Sequence, residues 1–275
     1  MRIVFWNILH GGGTQRTPEI VLALLGWTPD VVILCEYRTT LGGQIRGVLG
    51  DHGLEHQVCT DPPEGKNGLL VASRPAIRTL PEVGAGGGPR WVGVRLPDCD
   101  LVTLAAHVPP LEAQDGEAQA VWQSLLRSAR VHAADPTLVI GDLNAGRRWQ
   151  DESGVSGSRR LSREHSALRR VGTESMGRLW LMGYRDAWRE RGEVHREHGD
   201  ERASDREEGA LALESGDIPA RSREFSWFSH EGRGVRIDHA LASAGLLPRV
   251  RRAWYEHAVR GSGASDHAAI VVDIS

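Results

Sequence analysis

The chain has 275 residues, 40% of them apolar and 25% charged, a balance that excludes a wholly disordered or fibrous protein. A net charge of −3 excludes a uniformly basic surface that grips long polyanions everywhere, while leaving room for a local arginine-lined groove. Lys66 is the only lysine among 33 basic residues; arginine suits bidentate phosphate contacts, but so uniform a bias reads as codon composition.

Arg2 to Trp6 reads as a buried strand that delivers Asn7 to its end. Gly11-Gly12-Gly13 is a turn, and Thr17 before Pro18 has the pattern of an N-cap with proline at the first helical position. That helix carries Ile20, Val21, Leu24 and Leu25 and stops at Gly26. Val31 to Cys35 is a second buried strand, ending in Glu36, and a helix-like stretch weakened by glycines runs from Leu41 to Leu49. Leu69 to Ser73, Trp91 to Leu96 and Leu101 to His107 are further strands, the last two joined by the turn Pro97-Asp98-Cys99-Asp100. Glu117 to Ala133 is the strongest helix, with Val121, Trp122, Leu125, Leu126 and Ala129 at helical spacing.

Leu138-Val139-Ile140 is the short apolar run of a strand buried on both faces. Gly141 closes it, and Asp142 and Asn144 follow with one residue between them. At a strand's end that spacing sets a proton-accepting acid beside an amide that orients a water or a phosphate oxygen; an Asx-turn is the simpler alternative. Ser166 to Met182 holds one or two helices. Arg189 to Arg223 is charged, glycine-rich and poor in apolar residues, so an exposed insertion is expected at about 189–223, with His195 and His198 solvated. Order resumes at Phe225-Ser226-Trp227-Phe228, then in strands over Val235 to Ala242, Val250 to His257 and Ala269 to Ile274. Helices alternating with strands, interrupted by hairpins, predict mixed α/β sheets. No linker divides the chain cleanly, so one domain over 1–275 is expected.

Cys35, Cys59 and Cys99 form no CxxC pair and suggest neither a disulfide framework nor a zinc site. There is no apolar leader and no run of about 18 apolar residues. A cytoplasmic protein with no membrane partner and no obligate protein partner is expected.

The apolar strands end in, or carry, isolated groups suited to metal or phosphate chemistry: Asn7, Glu36, His107, Asp142 with Asn144, Asp238, and Asp266 with His267. Each has a plainer reading: Glu36 as a rim carboxylate, Asp238 paired with Arg236, Asp266-His267 as a turn. Together, carboxylates with an amide make an oxygen-rich site for Mg²⁺ or Mn²⁺, and histidines with a further acid supply proton handling and charge stabilisation. Ser265, Asp266 and His267 are adjacent and cannot form a triad, no GxSxG elbow exists, and Gly65-Lys66-Asn67 lacks the rest of a P-loop.

In this order, Trp6-Asn7, the Glu36 strand, His107, Gly141-Asp142-Leu143-Asn144, Arg236-Ile237-Asp238-His239 and Ser265-Asp266-His267 resemble the endonuclease/exonuclease/phosphatase superfamily. That group includes exonuclease III-type nucleases, deoxyribonuclease I, sphingomyelinases, deadenylases and inositol-polyphosphate 5-phosphatases. The resemblance covers nearly the whole chain except the charged insertion. It implies an α/β four-layer sandwich, two mixed β-sheets face to face with helices outside and the active site at one edge. It implies Glu36 as principal Mg²⁺ ligand with Asn7 and Asp266 nearby, Asp142 activating water, and Asn144 holding that water or the phosphate. Asp238 would orient His267 on the phosphate, and His107 would stabilise the transition state. Leu9 stands where exonuclease III-type enzymes carry an aspartate, which puts a second metal position in doubt. His107 stands where they carry tyrosine, and Pro110 where they carry asparagine. The Trp227 segment looks like their branch, although Val235 replaces an expected tryptophan.

The leading expectation is a Mg²⁺- or Mn²⁺-dependent phosphodiesterase acting on nucleic acid, DNA first. Arg147, Arg148, Arg233 and Arg236 are its candidate phosphate contacts, and Trp227 its stacking or sugar-pocket residue. Alternatives are hydrolysis of a small phosphoester, such as a nucleotide, sugar phosphate or phospholipid headgroup, and a catalytically inert binding module on the same fold.

Overall fold

The computed structural model describes residues 1–81, 88–110, 115–145, 163–192, 224–228 and 234–275. These form two six-stranded mixed sheets and a small ribbon. The first sheet contains β1 (Arg2–Asn7), β2 (Val31–Tyr37), β3 (His56–Cys59), β4 (Gly68–Ser73), β13 (Val250–Glu256) and β14 (Ala269–Ile274), in the order β13-β14-β1-β2-β4-β3. The second contains β5 (Arg78–Thr79), β6 (Trp91–Leu96), β7 (Leu101–His107), β8 (Thr137–Asp142), β9 (Arg185–Asp186) and β12 (Asp238–Ala242), in the order β5-β6-β7-β8-β12-β9. The ribbon pairs β10 (Trp227–Phe228) with β11 (Gly234–Val235).

Each sheet has one parallel pair at its centre, β1–β2 and β7–β8, flanked by antiparallel neighbours. A parallel pair needs a long crossover, here α1 (Gly13–Gly26) in the first sheet and α3 (Asp115–Val131) in the second. The two sheets therefore repeat one plan, and in each the central strands end on the same edge. Alternation along the strands sorts the side chains. Ile3, Phe5, Ile33 and Val71 face Val94, Ala105, Ile140 and Ala240 between the sheets. Val4, Trp6, Val32 and Leu34 pack outward against α1 and α2 (Gly43–Asp51). Leu104, Val139 and Leu241 join Val121 and Leu125 of α3 and Leu179 of α4 (Arg163–Leu181). This is the four-layer arrangement expected from the sequence. Strands buried on both faces explain the unbroken apolar runs.

Three expectations need correction. The first helix begins at Gly13, so Thr17 is not its cap; the Thr17 hydroxyl donates to the Gly13 carbonyl one turn back at 2.7 Å. Val235 to Ala242 is two strands, because the Ser226 hydroxyl accepts the backbone N–H groups of Ile237 and Asp238, both at 3.0 Å, and draws the chain out of the ladder. Arg189 to Arg191 belong to α5 (Ala187–Arg191), capped by the Asp186 side chain accepting the Arg189 N–H. These three residues are therefore helical, and the rest of the expected insertion, residues 193–223 with His195 and His198, lies outside the described residues. Among the described residues, no helix is long and apolar enough to cross a membrane.

Gly141 sits opposite Ala106 in the β7–β8 ladder, and a Cβ there would lie 2.0 Å from the Ala106 carbonyl oxygen. No side chain fits without parting the two central strands. Gly141→Ala should cost at least the ~1–3 kcal/mol of an overpacked core, read as a lower denaturant midpoint; an unchanged midpoint would show that the strands part freely.

Candidate active site

The strand register alone assembles half of the cleft. His107 is paired with Asp142 across β7–β8, and Asp142 with Asp238 across β8–β12, so three functional side chains stand in one row. Glu36 arrives from the other sheet by a different device. Cys35 pairs with Leu69 and Tyr37 with Gly68, leaving Glu36 as the extra residue of a β-bulge at φ 55°. Cys35 keeps its place between the sheets and Tyr37 its place under the outer helices; the bulge frees Glu36 from the alternation and re-aims it. Leu9, His10 and Asn144 also have positive φ, which an ordinary side chain adopts at a cost.

Asn7 joins the two halves. Its amide nitrogen donates to Glu36 Oε1 at 3.3 Å and to Asp142 Oδ2 at 3.1 Å, and its oxygen accepts the Leu9 N–H at 3.0 Å. Glu36 Oε2 accepts the His10 N–H at 2.7 Å and the Asn67 amide at 3.0 Å, and lies 2.9 Å from His10 Nδ1. Arg38 donates to the Asn67 oxygen at 2.7 Å, which turns that amide's N–H₂ toward Glu36. The Asn144 N–H donates to Asp142 Oδ1 at 3.2 Å, and the Asn144 side-chain amide to the Val108 carbonyl at 2.8 Å. His267 Nδ1 bonds Asp238 Oδ2 at 2.8 Å, and its Nε2 faces Asp142 at 4.0 Å. His107 Nε2 lies 3.9 Å from Glu36 and 3.8 Å from Asp142.

Burial and these neighbours set the charges apart. Burial, then the nearby Asp238 carboxylate, pushes Asp142 up to about 7. Burial works against a charge on His267, but Asp238 outweighs it and raises the imidazole to about 10. Burial pushes His107 down to about 4. Burial would raise Glu36, yet His107 and the His10 N–H win and bring it below its ordinary value. The cleft thus holds a cationic histidine, a neutral one, an ionised carboxylate and a carboxyl poised near neutrality, a division suited to acid–base work at a phosphoryl group.

The profile of the Endonuclease/Exonuclease/phosphatase family matches residues 4–267. The chain belongs to that family. It is a hydrolase of phosphoester bonds. No curated protein sequence matches it. Among solved structures it resembles a 3′-5′ exonuclease, NExo, from Neisseria meningitidis (TM-score 0.68, 17% identity, 100% of both chains covered). It also resembles a 3′ phosphatase form of NExo from Neisseria bound to a product DNA hairpin (TM-score 0.70, 17% identity, 100% of this chain and 99% of that one). An AP endonuclease from Archaeoglobus fulgidus is similar too (TM-score 0.68, 16% identity, 100% and 99% covered).

The family's divalent metal fits this cleft. Glu36, Asp142 and Asp238 offer hard oxygen donors, and Asp238 Oδ1 is buried without a hydrogen-bond partner among the described residues. Asp142, Asp238 and His267 present ligand atoms within 4.8 Å of one another, although His267 and Asp238 already satisfy each other. Of the ligands expected from sequence, Glu36 keeps Oε1 toward the cleft; Asn7 turns its nitrogen to the carboxylates; exposed Asp266 accepts the Trp227 indole N–H at 2.9 Å. Trp227 is half-buried and bridges to His267, so it stands at the rim. Arg147, Arg148 and Arg233 lie outside the described residues. Arg236 does not reach the rim. It is 2% exposed, pairs with Asp186 at 2.7 Å and lies over the Trp188 ring. The expected Arg236–Asp238 pairing is likewise replaced by Arg236–Asp186 and Asp238–His267. Sequence reasoning did not find His10, Asn67 or Arg38.

Burial would raise the Asp186 carboxyl, but Arg236, then His239, hold it far below its ordinary value. Removing one partner of a buried pair strands the other, so Arg236→Ala should cost about 3–5 kcal/mol. A depressed carboxylate stabilises the fold above the unfolded aspartate value, about 3.9, and loses that contribution as pH falls below it. Denaturation series should show a steady deficit at neutral pH that shrinks in acid; a deficit of the same size at every pH would remove the charge pair as its cause.

Proposed function

We propose that the chain is a Mg²⁺- or Mn²⁺-dependent phosphodiesterase that hydrolyses nucleic acid, DNA first, by in-line attack of water. The observation that carries this reading is the convergence of Glu36, Asp142, Asp238 and His267 on one cleft with their charges set apart. Glu36 holds the metal, which supplies Lewis-acid charge to a phosphoryl oxygen when bound. Asp142, raised toward neutrality, takes the proton of the attacking water. The Asn144 backbone N–H keeps one Asp142 oxygen fixed, leaving the other toward the cleft. His267, kept cationic by Asp238, offers Nε2 to a phosphate oxygen, and His107 faces the same space between Glu36 and Asp142. Trp227, pinned through its indole N–H to Asp266, offers a ring to a base or sugar. The DNA substrate is supported by the likeness to an exonuclease, an AP endonuclease and a 3′ phosphatase bound to a DNA hairpin.

A second reading, hydrolysis of a small phosphoester, is favoured by the net charge of −3 and by the burial of Arg236 away from the rim. A metal-dependent cleavage panel of plasmid, single strand, abasic duplex, RNA and generic phosphomonoesters and diesters separates the two.

Asp142→Asn should lower turnover roughly 10²–10⁴-fold while substrate binding persists, and Glu36→Ala should abolish activity together with most metal binding. Asp142→Asn losing affinity alone would move Asp142 from catalysis to binding. For DNA, affinity should fall steeply from low to moderate salt as counterion release is lost. Trp227→Ala should raise KM for DNA, in line with stacking worth roughly 1–3 kcal/mol per base, and leave a generic small diester unaffected. A shallow salt dependence with both substrates treated alike would favour the small phosphoester.

A further inference from the structure

Arg90 has no part in the roles above. It ends a short 3₁₀ turn, Gly88–Arg90, immediately before β6. In the β6–β7 ladder Trp91 faces Ala106, so Arg90 stands one step beyond, opposite His107. Its Nη1 lies 3.2 Å from His107 Nδ1. Its Nε donates to Glu117, in the first turn of α3, and its side chain is 21% exposed. The guanidinium is thus held at both ends.

A guanidinium only donates: it carries five N–H groups, no lone pair to accept with, and does not deprotonate in proteins. A hydrogen bond between Arg90 and His107 Nδ1 therefore requires a bare lone pair on that nitrogen. The ring proton must then sit on Nε2, the nitrogen that faces Glu36 and Asp142 at 3.9 and 3.8 Å. His267 is arranged the opposite way, with Nδ1 on a carboxylate. The two buried histidines that face Asp142 are given different jobs by their partners.

We propose that Arg90 is a positioning residue that fixes His107 as the neutral Nε2–H tautomer, making it a dedicated hydrogen-bond donor to the reacting phosphoryl group and unfit to take the water's proton. The assignment of base work to Asp142 then follows from the neighbours of His107 as well as from Asp142 itself. The role on the phosphoryl group rests on the function proposed above; the tautomer does not.

The test is ¹⁵N NMR of the metal-free full chain, labelled at histidine, with His107→Asn identifying the resonances. Wild type should show an unprotonated Nδ1 and a protonated Nε2 on His107. Arg90→Met should populate the other tautomer, and Arg90→Lys, which keeps a cationic donor, should preserve the wild-type pattern. With metal and bis(p-nitrophenyl) phosphate, Arg90→Met should lower kcat about tenfold or more, toward the ~10²–10³ lost with one transition-state donor; KM should change little, and Arg90→Lys should recover much of the loss. A protonated Nδ1 in wild type, or an unchanged tautomer in folded Arg90→Met, overturns the proposal. The wild-type spectrum decides even where a variant does not fold. Lack of hydrolysis of any phosphoester would count against the proposed function and leave the tautomer result standing.

Discussion

One amide holds the site together. Asn7, at the end of the first strand, donates through a single nitrogen to Glu36 on its own sheet and to Asp142 on the other. Two carboxylates meeting without such a donor, or without a cation, would repel and raise each other's proton affinity. Asn7 is 1% exposed, and Ser265 donates to its carbonyl at 2.6 Å, so the strand end is anchored beside the His267 segment. The Trp6 indole adds a bond to the His267 carbonyl at 3.1 Å. The edge where the two sheets come together is thereby a polar lattice, above an inter-sheet core that is apolar apart from the buried hydroxyls of Ser73 and Thr103.

The repeated plan of the sheets explains why the edge is rich in function. In both sheets the central parallel pair ends where the neighbouring antiparallel strand begins, so three termini crowd together. The first sheet supplies Asn7, Glu36 and, just before β4, Asn67; the second supplies His107, Asp142 and Asp238. The second half is built by backbone register and the first by the bulge at Glu36, and side-chain bonding completes the aim of both. Behind the second half, Arg236 and Asp186 form a buried charge pair, and His239 bonds the Ala145 carbonyl at 2.6 Å, tying the loop after Asp142 to the strand that carries Asp238.

Much of this was legible in the sequence because it follows from period and punctuation. An apolar run closed by Gly-Asp-Leu-Asn marks a strand delivering polar groups, and the same logic located Asn7, Glu36, His107, Asp238 and His267. What escaped reading depends on register and on which way a chain leaves a strand. Arg90 follows glycine and proline in a turn, and its pairing with His107 appears only once β6 is aligned on β7. Asn67 carried no signal once a phosphate loop at Gly65-Lys66-Asn67 was set aside, yet it is a prop under Glu36. Arg236 is two residues from Asp238 and was expected to share its surroundings; the Ser226 hydroxyl breaks the strand between them and sends the arginine to Asp186. The start of the first helix was misplaced because a threonine before a proline resembles a cap even inside a turn.

The bulge at Glu36 sets a conflict between durability and chemistry. Closing the β2–β4 ladder by dropping one residue would restore an unbroken set of backbone bonds and remove a backbone angle of φ 55°. By the usual accounting that is a gain, since such angles cost of order 1–3 kcal/mol each. Yet strict alternation would then carry the glutamate off the cleft. Searches that reward melting temperature alone would be drawn to this position and would return sturdier proteins without their carboxylate. The irregular residue is a part of the sheet that selection for stability, acting by itself, would erase.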